Sequence, residues 1–199
     1  MGQSFPLEGV LCHGERVFLR WPDEDDADRI TSLRNAPWVR RWFLSQRPLD
    51  PTVNRNWLLY GMERPREAVL AIRWAANGLF VGMIGWTDWD RQRRTACFGR
   101  LAVDLSAIRQ LPRSSLSGYR GVALDAALAL RDFAFERMEL MELTTWYIVG
   151  NVLSARLNRA VGMVERGRIV RVRDDGTSVE TVELYLTRDR WEHIRSGRT

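Results

Sequence analysis

Residues 15–21 alternate polar and apolar side chains, and a period of two predicts a β-strand. Pro22-Asp-Glu-Asp-Asp-Ala then marks a turn and an acidic helix start, with Ile30 and Leu33 spaced to share one face. Pro37 opens a short helical piece carrying Trp38, Trp42 and Phe43, and beyond Pro48 and Pro51 a further helix is predicted around 53–62. Apolar runs at 68–74 and 79–86 predict two strands, and the Asn77-Gly78 pair between them favours a hairpin turn. Residues 88–94 form a polar turn before a strand at 96–103. A long helix is predicted at 121–139, its apolar stripe formed by Ala126, Leu130 and Phe133. A strand at 143–149 leads to a short helix at 151–161, stopped by Gly162. Two last strands, 166–173 and 179–186, flank the turn Asp174-Asp175-Gly176. The succession of strand, helices, three strands, helix, strand, helix and two strands predicts a mixed α/β domain around one strongly curved sheet.

A chain of 199 residues can bury a full core as one domain without disulfides or metals. With 45% hydrophobic and 28% charged residues, the composition is globular and excludes disorder for most of the chain. Apolar runs such as 122–130 are broken well short of the roughly 18 residues that a membrane-spanning helix needs. The N-terminal segment carries Glu8 and no basic-then-apolar pattern, so a cytoplasmic location is expected. Thirty basic residues against 25 acidic ones give a net charge of +5, and every basic residue is arginine. Such a surface attracts anions, phosphate-bearing small molecules as readily as nucleic acid. No run of five basic residues and no nucleic-acid motif occurs, so no nucleic-acid partner is expected. Cys12 and Cys97 are too few for a disulfide framework, and with His13 and His193 they lack metal-ligand spacing, so no metal is expected. Cys97 is expected as a small core residue.

Two stretches carry candidate chemistry. The first is Leu101, Ala102, Val103 and Asp104, followed by Gly118, Tyr119, Arg120, Gly121, Val122 and Ala123 leading into the long helix. Glycines at a strand-to-helix junction let backbone N–H groups approach a ligand, and the helix N-terminus behind them suits phosphate. The same glycines would also serve a plain turn. The second stretch begins with Asn151, placed to cap its helix, and puts Ser154 and Asn158 on the same side one and two turns on.

Together these stretches resemble the GNAT superfamily of acyl-CoA-dependent N-acyltransferases, from residue 15 to residue 191 and in the expected order of elements. The Asn-x-x-Ser helix ending at Gly162-Met163, followed by two strands with an Asp175-Gly176 turn, is similar to the branch of ribosomal-protein alanine N-acetyltransferases. The family's pyrophosphate loop, (Gln or Arg)-x-x-Gly-x-(Gly or Ala), matches at Gly121 and Ala123, with Gly118 in place of Gln or Arg. Val103 and Gly121 lie 18 positions apart, more than the family usually needs, so 106–117 looks like a loop insertion and 1–13 like an N-terminal extension.

The resemblance implies one GNAT-like domain over 1–199, with a curved mixed sheet splayed between two parallel central strands and flanked by helices. It implies acetyl-CoA as co-substrate, held by residues 101–103, 118–123, Asn151 and Ser154, with an arginine such as Arg113 or Arg120 near the 3′-phosphate. An amine attacks the thioester directly, which calls for a base on the ammonium and an acid for the leaving thiolate. Ser154 occupies the position that meets the CoA sulfur in the alanine-acetylating branch, and Asn158 stands where other relatives place a tyrosine acid. Carboxylates that relatives use as base would fall near 98–100 or 171–173 and are missing, which leaves Asp88 and Asp90 as candidates, or as residues of a solvated turn.

Trp38, Trp42 and Trp57, with Trp86 and Trp89 at the facing turn, suit a flat small acceptor such as an amino sugar or antibiotic, if they are not core. The expected activity is acetyl transfer to a primary amine of a small molecule. A protein N-terminus as acceptor and a non-catalytic acyl-CoA-binding module stay open, as do monomer and homodimer.

Overall fold

The computed structural model describes residues 9–60, 66–111 and 119–197, with the side chains of Tyr119 and Arg120 left aside. One eight-stranded sheet runs in the order β1-β2-β3-β4-β5-β6-β8-β7. Its strands are β1 Val10–His13, β2 Val17–Arg20, β3 Ala68–Trp74, β4 Phe80–Asp90, β5 Thr95–Val103, β6 Glu142–Ile148, β7 Val164–Val172 and β8 Ser178–Thr187. Every pair of neighbours is antiparallel except β5 and β6. The helices are α1 Glu24–Asn35, α2 Pro37–Arg40, α3 Pro51–Leu59, α4 Leu105–Ile108, α5 Tyr119–Glu136, α6 Val152–Val161 and α7 Arg188–Arg195. This is the expected mixed α/β domain with a parallel central pair.

Alternation on β3 builds both layers. Leu70 and Ile72 pack into the core with α5, while Val69 and Ala71 face the opposite layer formed with α1 to α3. On α5, Ala126, Leu130 and Phe133 are buried as their spacing predicts, and the small Ala127 and Ala134 are buried beside them. A Cβ on Gly85 would sit 2.0 Å from the carbonyl oxygen of Ala68, so β3 and β4 meet at a distance that only glycine permits. Asp23 and Asp26 form a reciprocal capping box at the acidic start of α1. Gly162 closes α6 at φ 98°, the left-handed stop its position predicts.

Four features depart from the sequence expectation or fall beyond the described residues. Strand β4 continues to Asp90, so Asp88 and Asp90 belong to the strand and the turn shrinks to 91–94. Residues 10–13 of the expected extension form an edge strand against β2, held where the Asp125 carboxylate accepts from the N–H groups of Glu15, Arg16 and Val17. Helix α7 has one buried side chain, Trp191, which stacks on Phe135 and donates to Asp132 at 2.7 Å. The expected insertion begins within the short helix α4, capped by Asp104; residues 112–117, with Arg113, and Gly118 lie outside the described residues.

Among the described residues, no helix is long and apolar enough to cross a membrane, and no group of three or more His, Cys, Asp or Glu could hold a metal ion.

Candidate active site

Strands β5 and β6 pair only at Thr95, Ala96 and Cys97 with Glu142, Leu143 and Thr144. Beyond that point they part. The last link between them is a side chain, the Thr145 hydroxyl donating to the Phe98 carbonyl at 2.8 Å. The parting has a local cause on β5. Its register against β4 slips by one residue between the Gly85–Gly99 and Met83–Ala102 pairs, and Arg100 in that bulge sits at φ 55°. An extra residue on one strand bends it and strengthens its twist. On its far side β6 remains paired with β8 along all seven residues, so it cannot follow β5.

The gap opens into a cavity of about 1150 Å³. Its lining includes Leu101 and Ala102 of β5, Ala123 and Leu124 of α5, Ser154 of α6 and its cap Asn151. The early helices and the segment after them add Arg34, Trp38, Trp42, Phe43 and Trp57, with Glu67 at the entry to β3. A cavity that joins a strand gap to an aromatic wall can hold two reactants at once.

The α6 residues are set by local hydrogen bonds. Asn151 caps the helix, its Oδ1 accepting from the Ser154 N–H at 3.1 Å. Buried Asn158 donates from Nδ2 to the Ser154 hydroxyl oxygen at 3.4 Å. With its oxygen accepting, the hydroxyl keeps its own hydrogen for another partner. Tyr147 also lines the cavity, but its hydroxyl points to Glu165 at 3.5 Å; burial, then the Glu165 charge, holds its pKa above the ordinary value.

The sequence candidates divide clearly. Leu101, Ala102, Ala123, Asn151, Ser154, Trp38 and Trp42 line the cavity together. Val103 and Val122 point into the core instead, and Tyr119 to Gly121 form the first turn of α5, whose N–H groups have no partner within the helix; the side chains of Tyr119 and Arg120 lie outside the described residues. Trp86 is buried in the core, edge-on to Trp21, and is not among the described residues around the cavity. Trp57 lines it, as does Cys97, expected in the core, where burial raises the thiol pKa. Asp88 is exposed at φ 56°, accepts from its neighbour Thr87, and is likewise absent from the described lining.

The carboxylate that does line the cavity next to the bulge is Glu67, which the sequence reading missed. Arg100 reaches it from β5, donating to Oε2 at 2.8 Å, and stacks on Trp57 at 5.1 Å. No motif surrounds Glu67; the missing signal was a tertiary contact across 33 positions.

The sequence signature of the acetyltransferase (GNAT) domain matches residues 16–164, three quarters of the chain. The chain belongs to the GNAT acetyltransferase family. Solved structures agree on the fold. A probable acetyltransferase is 21% identical with a TM-score of 0.70, covering 89% of this chain and 96% of its own. The Vibrio cholerae spermidine N-acetyltransferase, in complex with CoA and spermine, is 16% identical with a TM-score of 0.73, over 89% and 98%. A GNAT-family acetyltransferase from Bacillus anthracis is 16% identical with a TM-score of 0.72, over 89% and 98%. No curated protein sequence matches significantly.

Proposed function

We propose that this GNAT protein is an acetyl-CoA-dependent N-acetyltransferase that acylates the primary amine of a small molecule by direct transfer. The observation that carries this reading is the single cavity joining the β5–β6 gap and Ser154 to the aromatic wall and Glu67. Acetyl-CoA, when bound, supplies an acyl group activated as a thioester. Leu101, Ala102, Asn151 and Ser154 are the described residues suited to hold its reacting end, and the first turn of α5, where Gly121 lies, suits its phosphates.

Glu67 takes the proton of the acceptor ammonium, since its Oε1 has no partner among the described residues. The neutral nitrogen then attacks the thioester carbonyl carbon, and the carbon–sulfur bond breaks. Ser154 donates a hydrogen bond to the departing sulfur that strengthens as charge builds there, and the thiolate takes up the second proton that the attacking nitrogen loses as the amide forms. Glu67 serves this role better than Asp88, which is exposed and off the described cavity lining.

A polyamine acceptor, as in the Vibrio cholerae complex, fits less well. Among the described residues, Arg34, Arg41, Arg100 and Arg156 line the cavity against Asp50 and Glu67, and several protonated nitrogens would meet surplus positive charge. The test is thiol release from acetyl-CoA with aromatic amines, amino sugars, spermidine and alanine-starting peptides, with product masses measured. Turnover of a small amine supports the reading. Turnover of peptides alone would favour a protein N-terminus, and CoA-induced thermal stabilisation without turnover would make the protein a binder.

A further inference from the structure

Arg34 ends α1 inside the cavity wall, and it is 7% exposed. One arm of its guanidinium, Nη2, donates to the Ser45 carbonyl at 3.1 Å, and the group stacks on Phe43 at 3.6 Å from the ring centre. The other arm, Nη1, is buried without a hydrogen-bond partner. No carboxylate forms an ion pair with Arg34 among the described residues. Asp174, the acidic group whose field reaches it, spends its oxygens on Ser45, Gln46 and Arg47. Burial first, then the charges of Arg100 and Arg40, bring the Arg34 pKa down to about 10. The Ser45 carbonyl, the Phe43 ring and the field of Asp174 support the charge, but burial and the two neighbouring arginines oppose it, and a half-used guanidinium fork stays desolvated.

Such an arrangement is costly alone and well suited to a ligand that brings an anion. We infer that Arg34 selects acceptors that carry a carboxylate in addition to the reacting amine, on an aromatic or apolar body. Three features of the cavity match the three parts of such a molecule. Glu67 faces the ammonium, Trp38, Trp42 and Trp57 receive the body, and the buried, unpartnered arm of Arg34, a residue of the cavity lining, takes the carboxylate. Arg100 links the two ends: it bonds Glu67, and its charge is felt at Arg34. A carboxylate rather than a larger anion fits an arm with one vacant donor edge beside a stacked ring. The inference rests on the acetyltransferase reading above and deepens it.

The test uses matched amines with and without a carboxylate: phenylalanine with phenethylamine, and β- and γ-amino acids bearing a phenyl ring with their decarboxylated counterparts. With the full-length protein, at least one carboxylated member should exceed its counterpart in kcat/KM by about tenfold or more, because the amine lacking the carboxylate leaves Arg34 unpaired. Arg34→Gln should bring that ratio to within about twofold of one, and Arg34→Lys, which keeps the charge, should retain part of it. If no carboxylated amine outruns its counterpart, the inference is overturned. The same holds if Arg34→Gln folds, as judged by its melting curve, and leaves the ratio intact. Should Arg34→Gln not fold, the wild-type ratio and Arg34→Lys still decide. Turnover of decarboxylated amines alone would sink this inference and leave the acetyltransferase reading standing, whereas no turnover of any amine would sink that reading.

Discussion

Replacing Glu67 by glutamine separates a catalytic carboxylate from a structural one. The change removes the base and keeps an oxygen that Arg100 can still reach. If Glu67 takes the ammonium proton, its loss should cost about 10²- to 10⁴-fold in rate, or roughly 3–5 kcal/mol of transition-state stabilisation. Stability should hardly notice. The two side chains of the pair are 30% and 31% exposed, and a pair so open to solvent contributes about 0–1 kcal/mol, less when Gln remains as acceptor. For a chain of this size that moves Tm by about 4 °C at most. The assay is thiol release at fixed acetyl-CoA, with a good amine, across pH. At pH 7 the variant should be at least 100-fold slower, by the same estimate. As pH rises its rate should climb about tenfold per unit until the amine deprotonates itself, and there it should approach wild type. The reasoning fails if Glu67→Gln stays within about threefold of wild type at pH 7 with the same pH profile; Glu67 would then only hold Arg100.

Ser154→Ala should lower kcat by roughly 10-fold with CoA affinity nearly unchanged, because the hydrogen bond to sulfur forms mainly in the transition state; steady-state kinetics and CoA titration measure the two. The Asp174 carboxylate ties the hairpin turn to the wall segment 45–47, and the Gln46 N–H, ahead of its other partners, holds its pKa below the ordinary 3.8. A depressed carboxylate keeps its contribution above that value and loses it as pH falls through the folded pKa. Hydrogen exchange of the Gln46 and Arg47 amides should therefore stay slow at pH 5 and quicken below about 3.8, and Asp174→Asn should raise the acceptor KM. Gly85→Ala forces a Cβ against the Ala68 carbonyl and should cost about 1–3 kcal/mol or more. Thermal melting should then show Tm lower by about 5–10 °C; an unchanged Tm would contradict the close approach of β3 and β4.

What the sequence determined by itself is whatever short-range rules govern. The apolar run at 68–74 and the stripe of Ala126, Leu130 and Phe133 depend on side chains within one element, and they appear in the structure as a strand and a buried helix face. Asn151 and Gly162 bracket α6 for the same reason, since caps act within a turn of their own position. The placement of Ser154 beside Asn158 follows from helical spacing alone. Tertiary structure decided what no local rule contains. The bulge at Arg100 arises from pairing with β4, and it both parts the strands and turns Arg100 onto Glu67 from 33 residues away. Trp86 and Trp57 are alike in sequence as exposed-or-core candidates, yet strand parity sends one into the core with Trp21 while the other reaches the cavity. Asp88 looked like a turn residue because polar residues follow it, but β4 gains hydrogen bonds from β5 as far as Asp90, and chain pairing outweighed local polarity. Arg34 shows the same division. The helix that carries it was legible in the sequence from its acidic start, whereas the burial and half-used fork of Arg34 exist only because Phe43 and Ser45 fold back onto it.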